Sequence, residues 1–379
     1  MPKNKTITID NNDQQIIILL TLGIFTAGFT EGTSILGSRT EVFELLSKAG
    51  EKLGFQTVIF GHQHLALDDR RITAYYYKNE KWHKGVFMYP AIIYDRIPNR
   101  KIEHHPEVIQ AKKRLQDEGI FFNQGFFNKW EIYELLMRSV ACSYLIPTTV
   151  IHPSESKIIA MTDKFPIYIK PIHGSRGEGI VRCVKLPSGE LECHYYLQNK
   201  PQVNRYTKIS AFFKQHFPNG FKGYVAQKEV DLIKKGKSAI DFRVHCNKNH
   251  RNSWEVTLTC AKFAGKGSLT THVKRGGSVH LLEELFSNER ANLIRHRLTT
   301  TAEKVSIELE KAIDQPLGEI GFDFGIDNEE NVWLFEANAK PGYGIFNHPT
   351  IKHEADNILT YPFKYAFYLY NSSKNNDLI

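Results

Sequence analysis

Gly321-Phe322-Asp323-Phe324-Gly325-Ile326-Asp327, the polar turn Asn328–Asn331, and then Val332-Trp333-Leu334-Phe335-Glu336-Ala337-Asn338 decide the reading of this chain. Two apolar runs around a polar turn are the pattern of a β-hairpin. Strand period puts Gly321 and Asp323 on one face, and Glu336 and Asn338 together on one face of the return strand. The acids sit among Phe, Trp, Leu and Ile, where a carboxylate without a partner is costly. One reading is an exposed acidic hairpin. The other is a metal site in which Asp323, Glu336 and Asn338 offer the hard oxygens that magnesium prefers, with water and phosphate completing the shell. The apolar setting of the acids favours the metal.

Further back, Tyr168-Ile169-Lys170-Pro171 reads as a strand that delivers a lysine to the loop Gly174-Ser175-Arg176-Gly177-Glu178-Gly179. Glycines let backbone N–H groups approach phosphate, and the lysine adds a point charge. Taken alone, such a loop is more often a hairpin turn. Beside a metal hairpin the phosphate reading gains. No Gly-Lys-Ser/Thr opens a helix after it, and no His-Arg-Asp or Asp-Phe-Gly set occurs, so neither a Walker loop nor a protein kinase fits. Asp241-Phe242-Arg243-Val244 places Asp241 and Arg243 on one strand face. Arg243 suits a phosphate or a developing oxyanion, and an ordinary cross-strand ion pair is equally open. Arg275-Gly276-Gly277-Ser278 is a weak candidate anion loop.

The first third alternates. A strand over Ile16–Phe25, a helical pattern from Glu41 to Leu53 and a strand over Gln56–Phe60 make a βαβ beginning and a parallel sheet. Strands over Ile72–Lys78, Val86–Met88 and Ala91–Tyr94 follow. Asn128 caps a helix over Lys129 to about Ala141. The middle is a small antiparallel sheet (Phe165–Lys170, Gly179–Lys185, Leu191–Leu197, Tyr224–Val230) with a helix near Asn204–His216. Long strands over Ile240–Asn247 and Ser253–Phe263, a helix over Glu289–Ala312 and the hairpin strands complete an α+β chain. Order is expected to end after Tyr370.

The chain has 379 residues, 41% apolar and 24% charged, with a formal net charge of +8. That composition excludes a disordered or collagen-like chain and fits two or three packed units with a surface that attracts anions. The basic residues form no single stripe, so a nucleic-acid binder ranks last and no nucleic-acid partner is expected. The five cysteines are scattered without ligand spacing, which reads as reduced thiols in a cytoplasmic protein. Ile16–Phe29 is shorter than the ~20 residues of a spanning helix. It reads as a buried central strand, and no membrane partner is expected.

The order of lysine, glycine-rich loop, arginine and D…E-x-N set resembles the ATP-grasp superfamily. More narrowly the chain is similar to the YheC/YheD-type endospore coat-associated ATP-grasp family. That likeness rests on Trp82, Pro90-Ala91-Ile92-Ile93-Tyr94-Asp95-Arg96-Ile97-Pro98, Phe122-Asn123, Asn128-Lys129-Trp130, Asp241–Val244 and Glu336-Ala337-Asn338-Ala339-Lys340-Pro341-Gly342. It implies an ATP-grasp fold with an N-terminal α/β pre-ATP-grasp domain over 1–125, an ATP-grasp domain over 126–372 with a lid subdomain at about 165–226, and a frayed tail at 373–379. It implies ATP and Mg2+ as cofactors. Lys129 and Lys170 would contact the phosphates, and Lys170 the adenine as well. Gly174, Ser175, Arg176, Gly177 and Gly179 would belong to the lid, and Gln227-Lys228-Glu229-Val230 would be the hinge whose backbone reads the adenine. Arg243, with Lys170, would serve phosphoryl transfer, and Asp323, Glu336 and Asn338 would bind the metal. In related enzymes an arginine often stands at the position of Lys262, and an asparagine at that of His272. Two functions follow: a carboxylate–amine ligase working through an acyl phosphate on an amino acid, peptide or spore coat protein, or a nucleotide-binding structural protein of the spore coat.

Overall fold

The computed structural model describes residues 5–8, 17–66, 70–173, 178–198, 200–236, 238–263, 278–343, 349 and 351–376. The apolar run near the N-terminus is β2 (Ile17–Phe25), the centre of the first of three sheets; β1 (Lys5–Thr8) pairs with it. The chain crosses through α1 (Thr40–Lys52) to β3 (Phe55–Phe60), parallel to β2 as the βαβ pattern requires. The hairpin β4 (Arg71–Lys78) and β5 (Lys81–Met88) extends that side antiparallel. On the other side of β2 lie β6 (Ile92–Asp95) and β7 (Ile120–Phe122), both parallel, joined by α2 (Arg100–Glu103) and α3 (Pro106–Gln116).

After α4 (Lys129–Arg138) comes a wholly antiparallel sheet: β8 (Thr149–Ile151), β9 (Ile167–Pro171), β10 (Val181–Lys185), β11 (Leu191–Leu197), β12 (Lys200–Tyr206) and β13 (Tyr224–Lys228), in the order β12-β11-β10-β9-β13-β8, with α5 (Glu155–Thr162) and α6 (Ile209–His216). The helix expected near Asn204 begins only at Ile209. Lys200–Tyr206 is instead an edge strand laid along β11. An edge strand exposed on both faces shows no alternation in its sequence and tolerates Pro201, so the segment carried no strand signal.

The third sheet comprises β14 (Lys234–Lys235), β15 (Ser238–Lys248), β16 (Trp254–Phe263), β17 (Ser278–His280), β18 (Glu319–Ile326) and β19 (Val332–Asn338). Its long helix α7 (Asn288–Ala312) buries Ala291, Ile294, Leu298, Ala302, Val305 and Leu309, a stripe at three- and four-residue spacing, against Phe242, Val244, Phe322 and Phe324. The chain closes with α8 (Lys352–Ile358) and α9 (Tyr361–Asn376). α9 continues six residues past Tyr370, where order was expected to end, because Phe363, Tyr365, Ala366 and Leu369 pack into the core that joins the first and third sheets.

A buried polar joint crosses the same boundary. Asn123, fully buried in the left-handed region that asparagine tolerates (φ 57°), donates to the carbonyls of Glu319 (2.7 Å) and Ala339 (2.5 Å). Its oxygen accepts from the amides of Gly318 (2.7 Å) and Glu319 (3.1 Å). Arg96 pairs with Glu319 at 2.6 Å, donates to the Pro341 carbonyl and lies over the Tyr343 ring. Tyr94 and Tyr343 both donate to Glu319. Lys340 reaches Asp95 at 2.8 Å and Glu103 at 2.9 Å. Replacing Asn123 by Ala leaves those buried donors and acceptors without partners, and we expect a loss of about 2–4 kcal/mol in unfolding free energy. Denaturant unfolding checks this. Asn123→Asp, which sets a buried carboxylate against the carbonyls of Glu319 and Ala339, should lose at least as much.

Candidate functional site

The hairpin of β18 and β19 forms as the sequence predicts, with one irregularity that sets its chemistry. Asp323 opposes Glu336, but Phe324 opposes Leu334, so Phe335 is an extra residue on β19. Without that bulge, strict alternation would place Glu336 on the face of the buried Leu334. The bulge lets Leu334 and Ala337 both face the core and turns Glu336 and Asn338 to the opposite side. Gly325 gives it room: a Cβ there would lie 2.6 Å from the Phe335 ring. The bulged carbonyl accepts a 2.5 Å hydrogen bond from Tyr133 of α4.

Asp323 also faces Arg243 across β15, and Asp241 faces Lys262 across β16. Arg243 Nε lies 3.3 Å from Asp323, and Lys262 Nζ lies 2.7 Å from Asp323 and 3.4 Å from Asp241. Arg243 is therefore held by Asp323 on the neighbouring strand, and Asp241 on its own strand serves Lys262. Lys129, the first residue of α4, brings its ammonium 3.8 Å from Glu336. Burial alone would raise the Asp323 carboxyl, but Arg243 and Lys262 override it and hold it down to about 2. Burial lowers the neighbouring His245 to about 3, with help from Arg243 and Arg96.

The second sheet supplies the other lysine. Lys170 on β9 donates to Gln227 Oε1 at 2.7 Å and lies over the rings of Tyr168 and Phe335. Burial, then the like charge of Lys129, lowers it to about 7. Lys170 thus meets the β18–β19 hairpin at the bulged Phe335. Buried Gln227 passes the bond on to Thr149. The segment expected to be the hinge, Gln227–Val230, is partly engaged within the protein. The amides of Lys228 and Glu229 already donate, at 2.8 Å each, to the carbonyls of Thr148 and Pro166, and the Glu229 carboxylate is taken by Arg182 at 2.9 Å. Antiparallel pairing consumes those groups, which leaves Val230 as the hinge amide with no such bond among the described residues.

Gly174, Ser175, Arg176 and Gly177, with His272 and Arg275–Gly277, lie outside the described residues. Gly179 is exposed at a φ of 69°. Sequence reasoning missed Tyr133 and the bulge at Phe335. The signal was there: Leu334 and Ala337, three apart, cannot both face a core on a regular strand.

The carboxylates fit a divalent cation only in part by themselves. Asp323 and Glu336 offer hard oxygens from opposed positions, and Asn338 lies two residues along the same face. Yet among the described residues no group of three or more His, Cys, Asp or Glu side chains is placed to hold a metal. A cation here needs oxygens from a ligand, which is how magnesium is usually held beside phosphates.

Comparison with known proteins bears on the family and the fold. The Bacillus subtilis (strain 168) endospore coat-associated protein YheD is 36% identical over 97% of this chain and 83% of its own length. YheC of the same organism is 21% identical over 88% and 93%. Among solved structures, the VanG D-Ala:D-Ser ligase of Enterococcus faecalis shares the fold, with a TM-score of 0.51 at 11% identity over 92% of this chain and 99% of that one. No helix among the described residues is long and apolar enough to cross a membrane. A family model described as YheC/D-like ATP-grasp matches residues 119–369, so the chain belongs to that family and carries its fold.

Proposed function

We infer that the protein is an ATP- and Mg2+-dependent carboxylate–amine ligase, and the observation that carries this reading is the charge-matched face around Asp323. The acids Asp241, Asp323 and Glu336 are matched in charge by Arg243, Lys262 and Lys129, with Lys262 reaching both aspartates. A divalent cation adds positive charge that only an anionic nucleotide offsets, so metal and ATP are expected to bind together. Asp323, Glu336 and Asn338 would hold Mg2+, which when bound polarises and neutralises phosphate oxygens. Lys129 and Lys170 would hold the phosphates. Val230 would supply the adenine-reading amide.

In the first step a substrate carboxylate oxygen attacks the γ-phosphorus and ADP leaves. Arg243 would bind the equatorial oxygens on which charge grows. In the second step an amine nitrogen attacks the acyl carbon, inorganic phosphate leaves and the amine loses a proton. An amino acid or peptide would serve as substrate, and the relatives' names make a spore coat protein one acceptor to try. A second reading, a nucleotide-binding coat protein without ligation, is favoured by one observation. Lys262 is engaged with Asp323 and lacks the planar fork of an arginine.

Glu336→Gln is expected to raise the calorimetric Kd for Mg–ATP by at least on the order of tenfold while the unfolding midpoint is kept. Unchanged affinity removes Glu336 from the metal set. Lys170, near neutral at pH 8 in the free chain, should take up a proton when phosphate arrives, since an adjacent anion favours the charged ammonium. Calorimetry at pH 8 in buffers of different ionisation enthalpy should show this uptake, and Lys170→Met should abolish it. Arg243→Lys should bind ATP nearly normally but slow acceptor-dependent ADP release by a factor on the order of 10² or more. A parent chain that binds ATP yet releases no ADP with any amino acid or peptide decides for the coat-protein reading.

A further inference from the structure

The first sheet reverses direction at β2: the chain steps to β3 on one side and later to β6 on the other. At such a switch point the loops beyond the carboxyl ends of the strands part and leave a crevice that binds ligands. Thr26, Ala27 and Gly28 follow β2 there, and Arg96 follows β6. Thr26 Oγ1 ties the two ends by donating to the Arg96 carbonyl at 2.8 Å.

Arg39 reaches into this place from the start of α1. Its guanidinium donates to Thr26 Oγ1 at 3.0 Å and to the Ala27 carbonyl, both neutral groups. Among the described residues no carboxylate lies within ion-pair distance of it. Those bonds engage one N–H on each terminal nitrogen, which leaves three of the five guanidinium N–H donors for a ligand. Burial, then the like charge of Arg96, lowers its pKa. A half-buried guanidinium with no carboxylate partner among the described residues is the arrangement that an oxyanion relieves. The positive end of the α1 dipole lies at the same spot. Exposed Gly28 stands over it at a φ of 81°, and a Cβ there would lie 3.1 Å from an Arg39 terminal nitrogen, so glycine keeps the approach open.

The crevice backs onto the site around Asp323. Arg96 donates to the Pro341 carbonyl, and Pro341 packs where a Cβ of Gly321 would be, 2.6 Å away. Arg243 approaches that same position at 3.2 Å. Arg96 and Pro341 thus link the two places.

We propose that Arg39 binds a carboxylate or phosphate group on the substrate whose other end reacts at the Asp323 face. That the anion belongs to a substrate rests on the ligase reading; the anion site itself does not. The test uses the full chain saturated with Mg2+ and a non-hydrolysable ATP analogue, so that nucleotide fills the phosphate pocket. The unfolding midpoint is titrated with acetate and, separately, inorganic phosphate, with chloride holding ionic strength constant. The parent chain should be stabilised saturably by at least one anion, and which one tells carboxylate from phosphate. Arg39→Gln should shift half-saturation upward by roughly tenfold or more. Arg39→Lys, the safer variant for folding, should respond between the two. Equal response in parent and variants, or no response of the parent to either anion, overturns the proposal. An intact Arg39-dependent response in a chain that gives no ADP overturns the ligase reading alone.

Discussion

The buried carboxylate of Glu319 is the constraint on which the rest of this molecule hangs. It is almost wholly buried, and burial pushes its pKa up even while Arg96, Tyr94 and Tyr343 pull it down. Such a group is tolerable only when it is fully bonded, since a buried charge that loses its partner is strongly destabilising. Its partners come from β6, from the residue after it and from the segment beyond β19. The joint therefore exists only when the first and third sheets are in one relative position. Asn123 and Lys340 repeat the demand on either side, through backbone groups of Gly318, Glu319 and Ala339 and through Asp95 and Glu103.

That constraint reaches the candidate site by covalent distance alone. Glu319, Gly321 and Asp323 lie on one face of β18, and Glu336, Asn338 and Lys340 follow along β19 and just past it. Gly321 sits between joint and site because nothing larger fits: Pro341 of the docking segment occupies the space on one side and Arg243 closes on the other. Two residues beyond, Asp323 is fixed by opposed strands, and the Phe335 bulge aims Glu336 at the same place. The Glu336–Gly342 run thus serves twice, its first part facing the ligand site and its second part locking the sheets. A site built on strands that are pinned this way is held more rigidly than one on loops.

Much of this was legible in the sequence, for reasons that differ residue by residue. The buried parallel strand at β2, the α7 stripe and the hairpin announce themselves because each buries a large apolar face with the period of its backbone. Lys129 was findable from the Asn128 cap, whose side chain does accept from the Trp130 amide. What escaped was structure fixed by pairing and not by local pattern. The edge strand β12 is polar on both faces, and α9 runs past Tyr370 only because distant side chains receive it. The hinge segment Gln227–Val230 was chosen by position, and nothing local says that Thr148 and Pro166 will bond the amides of Lys228 and Glu229. Asp241 and Arg243 share a face, as strand period requires, yet each is paired across the sheet; register is invisible in one strand read alone.

The charge pattern also explains how so many acids can crowd one buried face. An isolated carboxylate in the setting of Asp323 would take a proton, because burial disfavours its charged form. Arg243 and Lys262 instead hold it ionised, as its lowered pKa records. Lys262 spans Asp323 and Asp241 at 2.7 and 3.4 Å and so stands close to where a ligand cation would compete for the same oxygens. An internal ammonium in that place compensates both acids from within the sheet. A bare divalent ion would have to displace or crowd a cation, whereas a metal carried on phosphates offers Lys262 new anionic oxygens in exchange. The same substitution of lysine for arginine that weakens the case for efficient transfer strengthens this one. A compact ammonium on a flexible stem can swing between a carboxylate and a phosphate more readily than a planar fork held by two bonds.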